Sequence, residues 1–305
     1  MIESLQHSSD SAKNSAAHTS SLLIEQYKKD HWASHWGIRS LSLSAGQSIL
    51  ELPYKEIQLN QPNGVVHGGI LASSMQDAAL LLACEAYDIE SLQAELLDQQ
   101  ISYIGSTRDQ TITISANFSR KARRFAFIHA EIKDQQDRLI AKSQLCFRIN
   151  PDQQTMISSP AHYQAPSPLL LDGSDKHPMT EERFGKTLMQ RCGLEITQLK
   201  PYITQLRMPF AERYKDFRGQ ISSGVILHMA DTAGVLGPVI SESKAKGGAT
   251  VDFKMSFCEP TFDEALLTTS HCIIKSNGLM FSKIEVHGEK SQRLKAFGTQ
   301  TFLLA

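Results

Sequence analysis

Long apolar runs alternate along the chain with segments in which apolar and polar residues take turns. One apolar run begins near residue 69 and another near residue 224, each directly after a glycine-containing turn. Alternating segments follow each run, such as TITISANFS in the first half and FSKIEVHGE in the second. A long apolar run is typical of a buried helix, and alternation is typical of a half-buried strand. The pattern therefore predicts, in each half, one long helix followed by antiparallel strands.

The two halves are copies of one unit. Gly64 matches Gly219 and Gly69 matches Gly224, both 155 positions apart. LIAKSQLCF and LKAFGTQTF keep this offset, and LLDQQISYI and TVDFKMSFC differ by 154 positions. Collinear matches at one offset indicate an internal duplication. The predicted organisation is a disordered tail at 1–21, a first domain at 22–150, a proline-containing linker at 151–178 and a second domain at 179–305.

The predicted fold class is α+β, with two tandem domains that each wrap an antiparallel β-sheet around a long central helix. A short amphipathic helix is predicted to open each copy, at LLIEQYKKDHWASHW and at EERFGKTLMQRC. Such a unit leaves a strand edge and an apolar seam exposed. We therefore expect the two copies to pair with each other.

Composition narrows the class of partner. Apolar residues make up 41% of the chain, charged residues 21%, and the net charge is −1. This balance gives no overall electrostatic reason to expect nucleic acid or a membrane surface. The five cysteines form no CxxC pair and no zinc-type spacing, so neither a metal nor a redox cofactor is implied. Because no signal peptide or membrane span is recognised, we expect a cytoplasmic protein.

Two features could carry chemistry. His67, Gly68 and Gly69 stand at the start of the first long helix, where unpaired N–H groups and the positive end of the helix dipole suit an oxyanion. A plain glycine turn with a capping histidine is the alternative. Asp231 lies inside the second apolar run, where an acid must be paired, capped or functional. A buried structural aspartate remains open, and the neighbouring His228 is expected to pack.

Helix geometry limits how these features combine. An acid nine residues after the turn lies about 13 Å from it, at roughly 1.5 Å per residue. The acid therefore cannot share a substrate carbonyl with the turn of its own helix. A working site needs the helix start of one copy and the acid of the other.

The motifs NGVVHGG, GVILHMADTAG and TVDFKMSF resemble those of the PaaI-like branch of hotdog-fold acyl-CoA thioesterases. The resemblance implies two tandem hotdog domains and hydrolysis of an acyl-CoA thioester without a cofactor. In that family, the turn histidine and a glycine amide of one subunit polarise the thioester. An aspartate from the partner's helix, often with a serine or threonine on the following strand, drives water or attacks directly.

Carried over to this chain, the family pattern is incomplete in the first copy. The turn keeps His67 and Gly68, but the acid position holds Gln76 and the strand hydroxyl position holds Leu96. Asp77 stands one step late and therefore about 100° around the helix.

The second copy has lost the other half of the pattern. It has Ser222 and Ser223 at the turn, but it keeps Asp231 at the acid position and Thr250 at the strand hydroxyl position. The resemblance therefore implies one intact site, in which the turn of the first copy meets Asp231 and Thr250 of the second.

Further binding residues are expected around the turn and on one hairpin. The resemblance assigns Gly69 and Asn63 to substrate binding. The family's asparagine before the turn is Gln61 here by strict spacing, with Asn60 and Asn63 as neighbours, and any of the three, or none, could orient the water. The basic cluster of Arg120, Lys121, Arg123 and Arg124 would suit the phosphates of CoA, although a solvated basic hairpin explains it equally.

The family comparison also implies a homodimer of two-domain chains, because single-domain relatives commonly pair their dimers. A non-catalytic acyl-CoA binder or sensor remains an alternative, since one of the two sites is lost. A hotdog hydratase or dehydratase is a weaker alternative, because its GDxNPxH pattern is absent. The acyl group, and the choice between CoA and a carrier protein, are left open.

Overall fold

The computed structural model describes residues 22–60, 64–88, 94–149, 193–242 and 247–304. The predicted tail and linker lie outside the described residues, as does the segment EERFGKTLMQRC that was expected to open the second copy as a helix.

The described part of the first half contains two short α-helices, one long α-helix and eight strands. These are α1 (22–27), α2 (His31–Trp36), β1 (Arg39–Leu43), β2 (Gln47–Leu52), β3 (Leu59–Asn60), β4 (Val65–Val66), α3 (Gly68–Tyr87), β5 (Ala94–Tyr103), β6 (Ile112–Lys121), β7 (Phe125–Lys133) and β8 (Leu139–Ile149).

The described part of the second half repeats this plan. Its elements are β9 (Glu195–Lys200), β10 (Ile203–Met208), α4 (Ser223–Ser241), β11 (Gly248–Phe257), β12 (Leu266–Ser276), β13 (Leu279–Gly288) and β14 (Leu294–Leu304). Each half thus has one long helix followed by four antiparallel strands, which confirms the predicted α+β class.

A single 12-stranded antiparallel sheet runs through both halves, in the order β1-β2-β6-β7-β8-β5-β11-β14-β13-β12-β10-β9. The halves join where β5 pairs with β11. Two hydroxyl–carboxylate contacts flank this junction: Ser102 donates to Asp252 at 3.4 Å, and Ser256 donates to Asp98 at 3.0 Å. Ser102 and Ser256 are equivalent positions of the two halves, as are Asp98 and Asp252. The two contacts are therefore related by a pseudo-two-fold axis at the junction.

Irregularities of the backbone recur at matching positions. The pairing of β5 with β8 shifts between Leu96 and Asp98, and the pairing of β11 with β14 shifts between Thr250 and Asp252. Both are one-residue bulges in the strand that meets the junction. Leu96 and Thr250 therefore occupy the same structural position, as the sequence offset predicts.

The two long helices pack against each other and against the inner face of the sheet. Almost all of α3 and α4 is buried, which accounts for their apolar composition on every side. By length and hydropathy alone α4 could cross a membrane, but 83% of its most apolar 18-residue window is buried inside the fold. We therefore describe it as a core helix.

Candidate active site

The first long helix begins at a histidine-capped turn. His67 is the N-cap of α3, and its Nδ1 accepts the N–H of Gly69 at 2.9 Å. Among the described residues, the N–H of Gly68 has no hydrogen-bond partner. Gly68 is the first helical residue and is only half-buried. Its N–H is therefore available at the positive end of the helix dipole.

Asp231 supplies a buried carboxylate from the middle of α4. The residue is 2% exposed. Its Oδ1 accepts the hydroxyl of Thr250 at 2.9 Å and the amide of Gln300 at 2.6 Å. Its Oδ2 lies 3.4 Å from Nδ1 of His67 and receives no hydrogen bond within the described part of the chain. One oxygen is thus held firmly and the other remains available.

The turn and the acid meet because the two long helices pack together. A Cβ added to Gly68 would lie 2.9 Å from Oδ2 of Asp231 and 3.3 Å from the Tyr103 hydroxyl. The missing side chain therefore leaves a small gap between a carboxylate and a phenol. The structure brings His67 and Gly68 of the first half together with Asp231 of the second, the arrangement that the sequence predicts.

Two histidines pack beside this gap. The rings of His67 and His228 lie 4.5 Å apart between centroids, and His228 also lies near the Trp32 and Trp36 rings. Burial lowers the pKa of His67, with the charge of Asp231 opposing the shift. Burial, followed by the neighbouring His67 and His35, lowers the pKa of His228 well below its usual range. Both imidazoles are therefore neutral at physiological pH.

Gln300 on β14 is a site residue that the sequence analysis did not identify. Its amide nitrogen contacts Oδ1 of Asp231 and the Thr250 hydroxyl, the latter at 3.1 Å. A Cβ at Gly234, one turn after the acid, would overlap the Gln300 amide, so the glycine leaves room for it. The repeat offers a signal that could have found Gln300, because its counterpart 155 positions earlier is the apolar Leu145.

Tyr103 at the end of β5 was also missed. Its hydroxyl donates to the carbonyl oxygen of Gly68 at 2.9 Å. Burial, and then the charges of Asp231 and Asp252, raise the pKa of this phenol well above its usual range. Tyr103 is therefore a neutral donor that fixes the first helical residue. Its counterpart in the second half, Phe257, has no hydroxyl.

The chain is similar to known proteins in both sequence and structure. The sequence profile of the thioesterase superfamily matches residues 63–141. A hot dog fold protein of Alicyclobacillus acidocaldarius is 16% identical, with a TM-score of 0.62 over 87% of this chain and 95% of its own. The acyl-CoA thioesterase II TesB2 of Mycobacterium marinum is 14% identical, with a TM-score of 0.58 over 84% and 93%.

The chain has a double-hotdog fold, and residues 63–141 of it match the thioesterase superfamily. A relative from Saccharolobus solfataricus, provisionally named an esterase, is 27% identical over 117 residues, which cover 38% of this chain and 81% of the relative.

The pseudo-two-fold axis of the double-hotdog protein relates the turn at His67 to an equivalent position at the start of α4. Different residues occupy this second position. Ser222 caps α4 through the N–H of Gly224 at 3.1 Å, in the manner of His67. The acid position holds Gln76, which is 2% exposed. The indole of Trp32 lies against Gly224 and donates to the Ser73 hydroxyl at 2.9 Å. This position therefore has neither the turn histidine nor the acid, and an indole packs at its helix start.

Asp77, one residue beyond the acid position of the first half, has a separate environment. Its Oδ2 accepts the Tyr27 hydroxyl at 3.0 Å. Burial raises the pKa of Asp77 well above its usual range, and the charge of Asp30 adds to the shift. Burial therefore disfavours the ionised form of Asp77. The residue anchors the N-terminal helices to α3 rather than facing the gap at Gly68.

The remaining predicted binding residues around the turn differ in what the structure describes of them. Gln61 and Asn63 lie outside the described residues, and Asn60 pairs with Val65 through its backbone. Gly69 lies at the turn, where a Cβ would meet the His228 backbone at 2.6 Å. In the described segments, no group of three or more His, Cys, Asp or Glu side chains is arranged to hold a metal ion.

The basic hairpin lies at the opposite end of α3 from the turn. The Tyr87 hydroxyl at the end of α3 donates to the Ala122 carbonyl at 2.6 Å, and the Lys121 ammonium lies 4.6 Å from the centre of the Tyr87 ring. A 20-residue helix is about 30 Å long. The cluster of Arg120, Lys121, Arg123 and Arg124 is therefore separated from Gly68 by about the length of the helix.

Proposed function

We propose that the double-hotdog protein hydrolyses an acyl-CoA thioester to a free acid and CoA, at one site shared between its two halves. The observation that carries the proposal is the unpaired Oδ2 of Asp231, which borders the gap at Gly68. A base or nucleophile from one half thus faces an available N–H at a helix start of the other. Ester and thioester hydrolysis needs both groups around one carbonyl.

In this proposal, the carbonyl oxygen of the thioester accepts the Gly68 N–H. As the carbonyl carbon becomes tetrahedral, negative charge develops on this oxygen and the helix dipole stabilises it. Asp231 either removes a proton from an attacking water or attacks the carbon itself. The carbon–sulfur bond then breaks, and the CoA sulfur leaves as a thiol with a proton that comes from water. If Asp231 attacks the carbon, a water molecule then hydrolyses the resulting acyl–Asp231 anhydride, which releases the free acid and restores the carboxylate. Thr250 and Gln300 hold Oδ1, so that Oδ2 keeps its direction, and His67 supports the turn.

The choice of CoA as the thiol, and of the PaaI-like branch, also belongs to the proposal. The M. marinum protein is named as an acyl-CoA thioesterase, which supports a CoA thioester for this chain. The HGG turn and the spacing to the acid position support the branch. The basic hairpin lies too far along α3 for us to retain it as the principal phosphate contact.

The proposal is tested by incubating the full chain with a panel of short, long and aromatic acyl-CoAs and following the release of free thiol. We expect at least one member to be hydrolysed, and an Asp231→Asn variant should lose this turnover. Tight binding of acyl-CoA without thiol release from any member would instead favour the non-catalytic binder.

We predict one bound CoA per chain at saturation. Support comes from Gln76 at the second acid position and from the Trp32 indole against Gly224. Calorimetric titration with a non-hydrolysable thioether analogue of acyl-CoA measures this number directly. Two equivalent sites per chain would show that the second position also binds substrate.

We also propose that the chain forms a homodimer in solution. One chain already contains the two halves that single-domain relatives assemble, so a further pairing would give the tetramer-like arrangement of four hotdog units. Light scattering at micromolar concentration should give about twice the chain mass of 33.9 kDa. A mass equal to that of one chain would contradict the proposal.

A further inference from the structure

Thr232 follows the acid on α4 and contacts the turn histidine. The residue is 6% exposed. Its hydroxyl donates to the His228 carbonyl oxygen at 2.8 Å, and its oxygen lies 3.3 Å from Nε2 of His67. A threonine hydroxyl has one proton, and a carbonyl oxygen can only accept. With that proton directed to His228, the Thr232 oxygen can only accept from His67. Nε2 of His67 must therefore carry a hydrogen.

The other ring nitrogen leads to the same tautomer. Nδ1 of His67 accepts the Gly69 N–H at 2.9 Å, so it must carry a lone pair. A hydrogen on Nδ1 would point at the Gly69 hydrogen and break the helix cap. Both contacts therefore require a neutral ring protonated at Nε2, and burial of the ring favours the neutral form.

This tautomer determines what Asp231 can do. Nδ1 of His67 lies 3.4 Å from Oδ2 of Asp231. In the Nε2–H tautomer neither of these atoms carries a hydrogen, so the histidine does not bind Oδ2. In the opposite tautomer the hydrogen on Nδ1, although directed at Gly69, would bring positive charge beside Oδ2 and stabilise the carboxylate. Positive charge beside a carboxylate stabilises its ionised form and makes it a weaker base.

We propose that Thr232 is a positioning residue, which holds His67 in the Nε2–H tautomer and thereby keeps Oδ2 of Asp231 unpaired for the reaction. Its kinetic consequence rests on the proposed thioester hydrolysis, whereas the tautomer itself does not. The repeat agrees with this role. The counterpart of Thr232 in the first half is Asp77, and the counterpart of His67 in the second half is Ser222. Threonine and histidine are thus retained as a pair at one position and are both absent from the other.

The test compares Thr232→Val with Thr232→Ser in the full chain. Valine keeps the shape of threonine and removes the hydroxyl, whereas serine keeps the hydroxyl. Long-range ¹H–¹⁵N spectra of ¹⁵N-histidine-labelled protein report the tautomer of each ring, and a His67→Gln variant assigns the His67 signals among the 11 histidines. We expect the Nε2–H tautomer in the wild type and in the serine variant, and a weaker preference for it in the valine variant, where only the Gly69 N–H still favours it.

The kinetic arm measures kcat and KM with a substrate from the acyl-CoA panel. We expect kcat of the valine variant to fall about ten- to a hundredfold, a part of the usual acid–base contribution. KM should change little, and the serine variant should stay near the wild type. If valine does not fold, Thr232→Ala replaces it, because alanine is favoured in helices.

Several outcomes would overturn the proposal. Wild-type protein with the Nδ1–H tautomer would do so, as would a valine variant with an unchanged tautomer and unchanged kcat. A serine variant impaired as strongly as valine would show that the hydroxyl is not the cause. If the wild type hydrolysed no thioester, the proposed function would fail, but the spectra would still decide whether Thr232 sets the tautomer.

Discussion

Replacement of Asp231 by alanine is expected to lower kcat for thioester hydrolysis at least about a hundredfold, the lower limit of a typical acid–base contribution. The reason is that Oδ2 of Asp231 is the carboxylate oxygen that borders the gap at Gly68. Thr250 and Gln300 can still contact each other at 3.1 Å in its absence, so the fold should persist. Steady-state thiol release measures the loss, and thermal unfolding checks the fold.

Asp77 provides a matched control, because it is also a buried acid on one of the two long helices that pack against the sheet. Asp77→Ala should leave turnover within a few-fold of the wild type. Its carboxyl group accepts the Tyr27 hydroxyl and does not face the gap. Wild-type turnover in Asp231→Ala, or an equal loss in Asp77→Ala, would contradict the assignment of the base to Asp231.

The sequence predicts the part of the site that depends on the duplication. His67 and Asp231 could be paired because each copy lacks what the other keeps, and because about 13 Å of helix separates the turn from the acid position within one copy. The α+β class follows equally from the pattern, since alternating strands and apolar helical runs have different periods. These inferences need only local spacing and a comparison of the two halves.

Local spacing does not identify the contacts of Gln300 and Tyr103, because these contacts depend on the register of strands. Gln300 reaches Asp231 from β14, 69 positions later, through the space that Gly234 leaves. Tyr103 reaches Gly68 from the end of β5. A helix was predicted around Trp32, but its packing against the second helix start is a long-range contact that periodicity does not encode.

The basic hairpin is a predicted binding feature that lies far from the candidate site. Four basic residues near a predicted turn suit phosphate binding. Composition alone, however, does not indicate how far these residues lie from the proposed position of the thioester. The contact between Tyr87 and Ala122 fixes the hairpin at the C-terminal end of α3. The turn at His67 and Gly68 is at the N-terminal end of α3, so the helix itself separates the two features.

Gly68→Ala is expected to reduce kcat/KM for thioester hydrolysis by about 10²–10³-fold, comparable to the loss of one oxyanion donor. Gly68 lies in the first turn of α3, and alanine has the higher helix propensity, so the backbone should tolerate the change. The added Cβ would lie 2.9 Å from Oδ2 of Asp231 and 3.3 Å from the Tyr103 hydroxyl. It would therefore occupy the gap in which we place the thioester carbonyl.

The second half contains a natural counterpart of this substitution. Ser223 is the first helical residue of α4, at the position equivalent to Gly68, and it shows that a side chain is compatible with this helix start. Ser223→Ala is therefore the matched control and should leave kcat/KM unchanged. Because both variants place alanine at an equivalent position, a loss confined to Gly68→Ala would depend on what faces the helix start, namely Asp231 in one case and Gln76 in the other. Full activity in Gly68→Ala, with unfolding temperatures showing both variants intact, would rule out the gap at Gly68 as the site of the thioester carbonyl.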